Sequence, residues 1–338
     1  MRLVKSLGIA LVLAVTAVSA QAADVWKATW SDPDDPMVAP VAAYFHIMDD
    51  ELRNMSGGSV SLQLFPNGQL GDQQAMVEQV SRGTLQLANI TSGLLATLCY
   101  PKVGILDLPY LFSSRHQFRA ATSTKDKFIS DMLDDLATQC GVRVISFHPY
   151  GFRNFSTKNT PVHKPADLAG LRIRVPGVPS YMEMIKDLGA QPVSISFSEL
   201  FTSLQTGVAD GQETTPTNMI LQKFYQVQGD MTITKHFMTT GAVIVNEQWY
   251  QSLSGDQRKM LLEADAEGQL AHDGVGAVND YLNVGKVADG GVKVYTPTPE
   301  ELAAFKTAVI GPTRKWAETQ LGKDFVDGFF GYMAQFQN

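Results

Sequence analysis

Two arginines raise the question of chemistry in this chain. Arg172 and Arg174 stand in the run Gly170-Leu171-Arg172-Ile173-Arg174-Val175-Pro176-Gly177, where apolar and basic residues alternate. Period-two alternation sends the two kinds of side chain to opposite faces of a strand. Leu171, Ile173 and Val175 then face a core, and the arginines face either water or an anion. A guanidinium presents a planar fork of donors that holds a carboxylate at two points, a geometry lysine cannot reproduce. By pattern alone, a solvated face is the commoner fate of such arginines. Strand position separates the pair: Arg174 stands one step before the turn, at the C-terminal end where open α/β sheets bind their ligands.

Other reactive residue types give no catalytic pattern. The histidines at 46, 116, 148, 163, 236 and 272 lack the paired spacing of a metal helix, and neither cysteine joins them. There is no G-x-S-x-G elbow and no glycine-rich phosphate loop. Acids such as Asp107, Asp210 and Glu213 could pair, but among 34 acidic residues such coincidences are expected. No metal and no cofactor is expected, and the residues lean toward binding. Cys99 and Cys140 both sit beside apolar neighbours, so buried free thiols and a bridge both stay open.

The elements that position these residues follow an α/β rhythm. Val25–Trp30 reads as a strand, and a turn-rich Ser31-Asp32-Pro33-Asp34-Asp35-Pro36 follows it. Val38, Val41, Phe45, Met48, Leu52 and Met55 recur at helical steps until Gly57-Gly58. Val60, Leu62 and Leu64 alternate as a second strand; a helix over 72–82 and a strand over Thr84–Ile90 come next. Strand and helix alternating in this way predict a largely parallel sheet. A second such region begins near Tyr150, with a helix over Ser180–Leu188 and a capping box of Ser196 and Glu199 before another. Residues Gln257 to about Val287 read as one unbroken helix, against a usual length of ~11–12 residues. A helix that long can lie across two domains.

Length and composition agree with an exported two-domain protein. A chain of 338 residues exceeds what one core usually serves. Hydrophobic content of 44% and charged content of 18% describe neither a disordered nor a membrane-embedded chain. Met1 to Ala22 has a basic start, an apolar run from Leu7 to Val18 and an Ala20-Gln21-Ala22 cleavage pattern, the signature of a signal peptide cut after about Ala22. Cleavage would remove Arg2 and Lys5 and no acid, making the chain more acidic than its formal −7. Nucleic acid is a poor partner for such a surface. An anionic ligand would need a local positive pocket.

The runs Phe65-Pro-Asn-Gly-Gln-Leu-Gly-Asp72, Leu106-Asp-Leu-Pro-Tyr-Leu-Phe112, Tyr150-Gly-Phe-Arg-Asn-Phe155, Lys164 to Gly177, Leu188 to Glu213 and Thr234-Lys-His-Phe-Met-Thr-Thr-Gly241 occur in that order. Together they resemble the DctP-type substrate-binding proteins of tripartite ATP-independent periplasmic (TRAP) transporters, over nearly the whole mature chain. The resemblance implies an α/β, two-lobed periplasmic binding protein fold of type II-like organisation, with one long helix spanning both lobes. It implies a monomeric periplasmic receptor, not an enzyme, that clamps a small organic acid and passes it to the permease subunits. The expected division is lobe I from 23–150 plus about 240–280, and lobe II from 151–239 plus about 281–338.

Residue by residue, the family's carboxylate-binding arginine falls at Arg174, and an assisting arginine at Arg153. Phe197 matches an aromatic packed against ligand, with ordinary core packing as its alternative. Glu213 and Thr214 occupy a stretch that lines the cleft; many relatives have Asn where this chain has Thr214, which weighs against the familiar dicarboxylate and sialic-acid ligands. Gln73 and Thr91 fall where sugar-acid binders often carry acids, so their neutrality weighs mildly against an amine or a hydroxyl-rich ligand. His236 matches a cleft-side histidine; a buried histidine satisfied by backbone is its alternative. The loop Trp30–Pro36 is expected to border the cleft, its acids excluding polyanions. Two rival functions remain: a binding protein of another uptake or sensing system, and a secreted enzyme using Glu213 and His236 as an acid–base pair.

Overall fold

The computed structural model describes residues 24–336, so the signal-peptide expectation for 1–22 lies outside the described residues. Among the described residues, nine strands form one mixed sheet: β1 (Asp24–Thr29), β2 (Val60–Phe65), β3 (Leu87–Thr91), β4 (Val142–Thr157), β5 (Arg172–Val175), β6 (Gln191–Ser194), β7 (Gly211–Thr214), β8 (Asp230–Asn246) and β9 (Lys293–Tyr295). The described α-helices around it are α1 (Pro40–Ser56), α2 (Gln73–Ser81), α3 (Gly93–Leu98), α4 (Arg115–Ala121), α5 (Lys127–Cys140), α6 (Pro179–Asp187), α7 (Leu200–Thr206), α8 (Pro216–Leu221), α9 (Glu247–Ser252), α10 (Gly255–Asp289), α11 (Pro299–Leu321) and α12 (Lys323–Met333).

The strand order is β2-β1-β3-β8-β4-β7-β5-β6, with β9 beside β8. The outer pairs β1–β2, β1–β3, β5–β6 and β5–β7 are parallel, as the alternation of strand and helix implies. The centre differs from that expectation, because β8 pairs antiparallel with both β3 and β4, and β4 antiparallel with β7. The long strands β4 and β8 run through both halves of the sheet. The C-terminal part of β8 (241–245) pairs with β3, whereas the C-terminal part of β4 (154–157) pairs with β7. Their mutual register shifts between Pro149 and Gly151 and between Arg153 and Phe155, and Gly151 takes the left-handed φ of +117° there. Such irregularities bend a strand and increase its local twist. The chain thus passes position 150 on a continuous strand instead of a loop tether.

Each half buries its own clusters. Trp26, Trp30, Tyr44, Phe45, Met48 and Leu52 pack between β1 and α1 in the first half. In the second, Phe155, Ile173, Val175, Tyr181, Met184 and Phe305 pack among β4, β5, α6 and α11. The 35-residue α10 begins from a Ser254/Gln257 capping box and extends about 52 Å at 1.5 Å per residue. It places Leu261 and Ala264 in the first half's core and Val287 in a cluster of the second, as expected of a helix spanning both lobes. Helix α12, which the sequence reading placed with lobe II as part of 281–338, packs Val326, Phe329 and Met333 in one cluster with Ile129, Leu133 and Leu136 of α5.

Cys99 and Cys140 form a disulfide, with Cα atoms 5.5 Å apart. It ties the end of α3 to the end of α5. The Ser196/Glu199 pair is not a reciprocal cap: Ser196 Oγ donates to the Glu199 carboxylate at 2.8 Å, and no backbone N–H is capped by either side chain.

Candidate functional site

A cavity of about 790 Å³ opens between the two halves, within the usual ~300–1,000 Å³ of small-molecule sites. From the first half it is lined by the loop residues Ser31 and Asp32, the turn residues Asn67 and Gly68, Gln73 at the start of α2, and Thr91 at the end of β3. The second half contributes Arg153, Arg174, Phe197, Phe201 and Asn218. Gln73 and Thr91 meet directly, for the Thr91 N–H donates to Gln73 Oε1 at 2.8 Å, leaving the Gln73 amide N–H groups as cavity donors.

The arginines of β5 separate sharply. Arg172 pairs with Asp210, donating from Nη2 at 2.6 Å and from Nε at 3.0 Å, near the surface. Arg174 is 3% exposed and lines the cavity. Its Nε and Nη2 donate to the Ile195 carbonyl at 3.0 and 2.7 Å, which fixes the plane of the guanidinium. No carboxylate pairs with it among the described residues. Burial, then the neighbouring charge of Arg153, push the Arg174 guanidinium down to about 9, with Glu213 only partly opposing them. It is therefore charged at neutral pH and uncompensated, a state that an anion would relieve.

Arg153 lines the same cavity but its charge is already matched. Its Nε pairs with Glu213, and its Nη2 donates to Glu213 Oε1 at 2.7 Å. Its guanidinium also lies 5.3 Å from the centre of the Tyr181 ring. Burial works to raise the Glu213 carboxyl, but the charge of Arg153 and bonds from His236 and Arg153 hold it below its ordinary value. His236 is wedged between Thr234 Oγ1, 2.7 Å from Nδ1, and Glu213, 3.4 Å from Nε2. Burial lowers its pKa, so it adds no positive charge at neutral pH. Two guanidinium charges face one carboxylate, and one positive charge remains, on Arg174.

Of the eight residues singled out from sequence, Arg174, Arg153, Phe197, Gln73 and Thr91 line the cavity. Glu213 and His236 lie behind Arg153, fully buried, and Thr214 is buried in β7 opposite Asn154 of β4; none of the three lines the cavity. The reading of single positions missed Asn67, Tyr150, Phe201, Asn218, Gln222 and Thr239 in the lining. In the sequence Asn67 stands out only within the run Phe65–Asp72, and its φ of +57° and that of Gly68 at +65° make a turn there. The loop 30–36 does border the cavity, through Ser31 and Asp32. Trp30 anchors it by stacking on Phe45 at 5.1 Å. The N–H groups of Gly68 and Asn67 hold the carbonyls of Trp30 and Asp32, at 2.9 and 3.0 Å.

Hydrogen bonds join the halves beside the cavity. Thr97 Oγ1 of α3 donates to the Gly177 carbonyl at 2.7 Å, and the Tyr181 hydroxyl of α6 to Asp107 at 3.4 Å. Burial pushes the Asp107 carboxyl up to about 7, against the opposing bonds from Tyr181 and Ser92 and the charge of Arg153. Burial likewise pushes Asp32 up to about 6.

A mixed sheet in two halves, joined by through-running strands and one long helix around a cavity with a buried unpaired cation, defines a cleft-type solute-binding protein. The model of the bacterial extracellular solute-binding proteins, family 7 (DctP), matches residues 36–320, and this chain belongs to that family. It is 29% identical over 295 residues to the C4-dicarboxylate-binding periplasmic protein DctP of Rhodobacter capsulatus, covering 87% of this chain and 86% of that one. Among solved structures, the sugar acid binding protein DctPAm of Advenella mimigardefordensis in complex with galactonate superposes with a TM-score of 0.87 at 23% identity, over 94% of this chain and 99% of that one. A TRAP periplasmic solute-binding protein of Shewanella oneidensis with bound succinate gives 0.84 at 24%, over 92% and 100%. The fold is thus that of the TRAP solute receptors, and the protein is a solute-binding protein of the DctP type.

Proposed function

We propose that the protein is a periplasmic receptor that closes on one small organic acid, holds its carboxylate on Arg174 and delivers it to TRAP permease subunits as a monomer. The observation that carries this reading is the uncompensated charge of Arg174, buried in the cavity wall and fixed by the Ile195 carbonyl. With Nε and one N–H of Nη2 committed there, the remaining N–H groups, Nη1 foremost, are the ones for a ligand carboxylate. Arg153 supports the site indirectly, keeping Glu213 neutralised so that Glu213 does not compete for Arg174. Phe197 and Phe201 supply apolar wall, and Gln73 a donor from the first half.

The two halves of the sheet serve as lobes I and II in this reading. The hinge lies where β4 and β8 cross between them, near the register shifts at 149–155. A ligand touching both Arg174 and the first half favours the closed arrangement. Export through the signal segment 1–22 belongs to the same proposal. Catalysis by Glu213 and His236 is disfavoured because both lie behind Arg153, away from the cavity. The test is gentle unfolding of purified protein followed by mass spectrometry of released small molecules. One carboxylate-bearing compound per chain, returned unchanged after incubation with refolded protein, is the expected result. A released ligand without any acid group would overturn the reading.

A further inference from the structure

The acids of the loop after β1 have different fates. Asp34 lies 2.7 Å from His46 Nε2, and Asp35 Oδ1 accepts the N–H of Met37 at 3.1 Å. Asp32 instead turns into the cavity, is 5% exposed, and its carboxyl accepts no hydrogen bond among the described residues. No basic side chain pairs with it among the described residues, and burial alone acts on its carboxyl. Arg153 and Arg174 are the basic residues of the described lining, and Arg153 is bound to Glu213. The other acid of the lining, Asp72, is exposed and occupied as the cap of α2, where Oδ1 accepts the Ala75 N–H at 2.9 Å. The backbone at Asp32 is clamped by the turn at Asn67 and Gly68, which fixes where its side chain enters the cavity wall.

A carboxylate taken largely out of bulk water is costly unless something donates to it. Hydroxyl and amide groups of Ser31, Asn67, Gln73, Thr91 and Asn218 surround the same space. We propose that Asp32 is the specificity residue of the first half, selecting acids that carry a hydroxyl or ammonium donor remote from the carboxylate on Arg174 and excluding a second carboxylate. This rests on the reading of Arg174 given above. It reverses the weight that neutral Gln73 and Thr91 carry by themselves, because the acceptor for donor-rich ligands comes from another loop. A site built to accept a donor rejects an analogue lacking one, since its own polar group is then left unpaired.

The test is titration calorimetry at pH 7.5 on refolded, ligand-free protein with D-erythronate, galactonate, 4-aminobutyrate and succinate. The wild type is expected to bind at least one donor-bearing acid ten-fold or more tightly than succinate; the hydroxy acids and the amino acid tell which donor is read. Asp32→Asn, isosteric and checked for folding by its melting temperature, should weaken that acid at least ten-fold and improve succinate at least three-fold. Asp32→Ala serves as a second variant with the same expected loss. Preference for succinate in the wild type, failure of all three donor-bearing acids to bind, or an Asp32→Asn affinity within three-fold of wild type overturns the proposal. Arg174→Ala separates the two readings. If it abolishes binding while both Asp32 variants bind normally, only the Asp32 assignment fails; if it binds normally, the carboxylate anchor fails first.

Discussion

Replacing Arg174 by methionine should do two opposite things at once. In the unliganded protein the guanidinium is held near 9 instead of its usual 12.5, a penalty on the order of 5 kcal/mol at 1.36 kcal/mol per pH unit. A folded-state pKa lowered in a base means that the charged form destabilises the fold at any pH below about 9. Methionine removes that penalty but leaves the Ile195 carbonyl without its two donors, a loss of about 1–3 kcal/mol. The unliganded variant should therefore melt at the same temperature as wild type or a few degrees higher. Binding should fall, because removing one partner of a buried charge pair costs about 3–5 kcal/mol, or about a hundred- to a few-thousand-fold in Kd. Arg174→Lys keeps the charge but loses the fork and one bond to Ile195, so its loss should be about ten- to a hundred-fold. Differential scanning fluorimetry without ligand and calorimetry with the acid released from wild type read the two effects separately. A methionine variant that binds this acid within three-fold of wild type refutes the anchor. One that melts well below wild type refutes the electrostatic reasoning.

Arg172→Ala is the matched control: its partner Asp210 is near the surface, so Kd should stay within about two-fold and the melting temperature within about 2 °C. Removing the Cys99–Cys140 bond, by reductant or by a double serine variant, frees a loop of sequence separation 41. Chain-entropy reasoning puts that loss at up to about 4 kcal/mol; a variant as stable as the oxidised protein would contradict it, and affinity should be unchanged. Asp107, with its carboxyl raised to about 7, holds a proton in the folded state that the unfolded chain releases near 3.8. Stability therefore falls as pH rises from about 4 to 7 and levels above. Asp107→Asn should flatten that slope, by at most about 4 kcal/mol, in urea midpoints taken from pH 4.5 to 8; parallel curves for the two proteins would exclude this role.

The parts of the fold written in local pattern were legible. Apolar residues at helical steps gave α1, and the unbroken run after Ser254 gave the long α10. No low-complexity linker stands near 150 in the sequence, and the chain there is a strand that runs from Val142 to Thr157. The antiparallel centre was not legible, because nothing local to β8 tells which strand 150 or 90 residues earlier it will lie beside. The disulfide was hidden for the same reason: hydrophobic neighbours suit a buried thiol and a bridge equally. In the site, family motifs led to Arg174, Arg153, Gln73, Thr91 and Phe197, but not to Asn218 or to Asp32 among three neighbouring acids. A carboxylate's worth depends on what stands opposite it, and that is set by two turns meeting, Asn67-Gly68 against Trp30–Asp32.

The same division holds for the two arginines. By itself the sequence determined that Ile173 and Val175 face inward and that Arg172 and Arg174 share the other face. Local alternation is a property of backbone geometry and needs no partner. Only the tertiary structure decided what each arginine meets on that face. It set Asp210 beside Arg172, and it closed the wall of a cavity over Arg174 with a carbonyl in place of a carboxylate. A charge's role follows from its solvent and its counter-charge, and both come from chain segments distant in sequence.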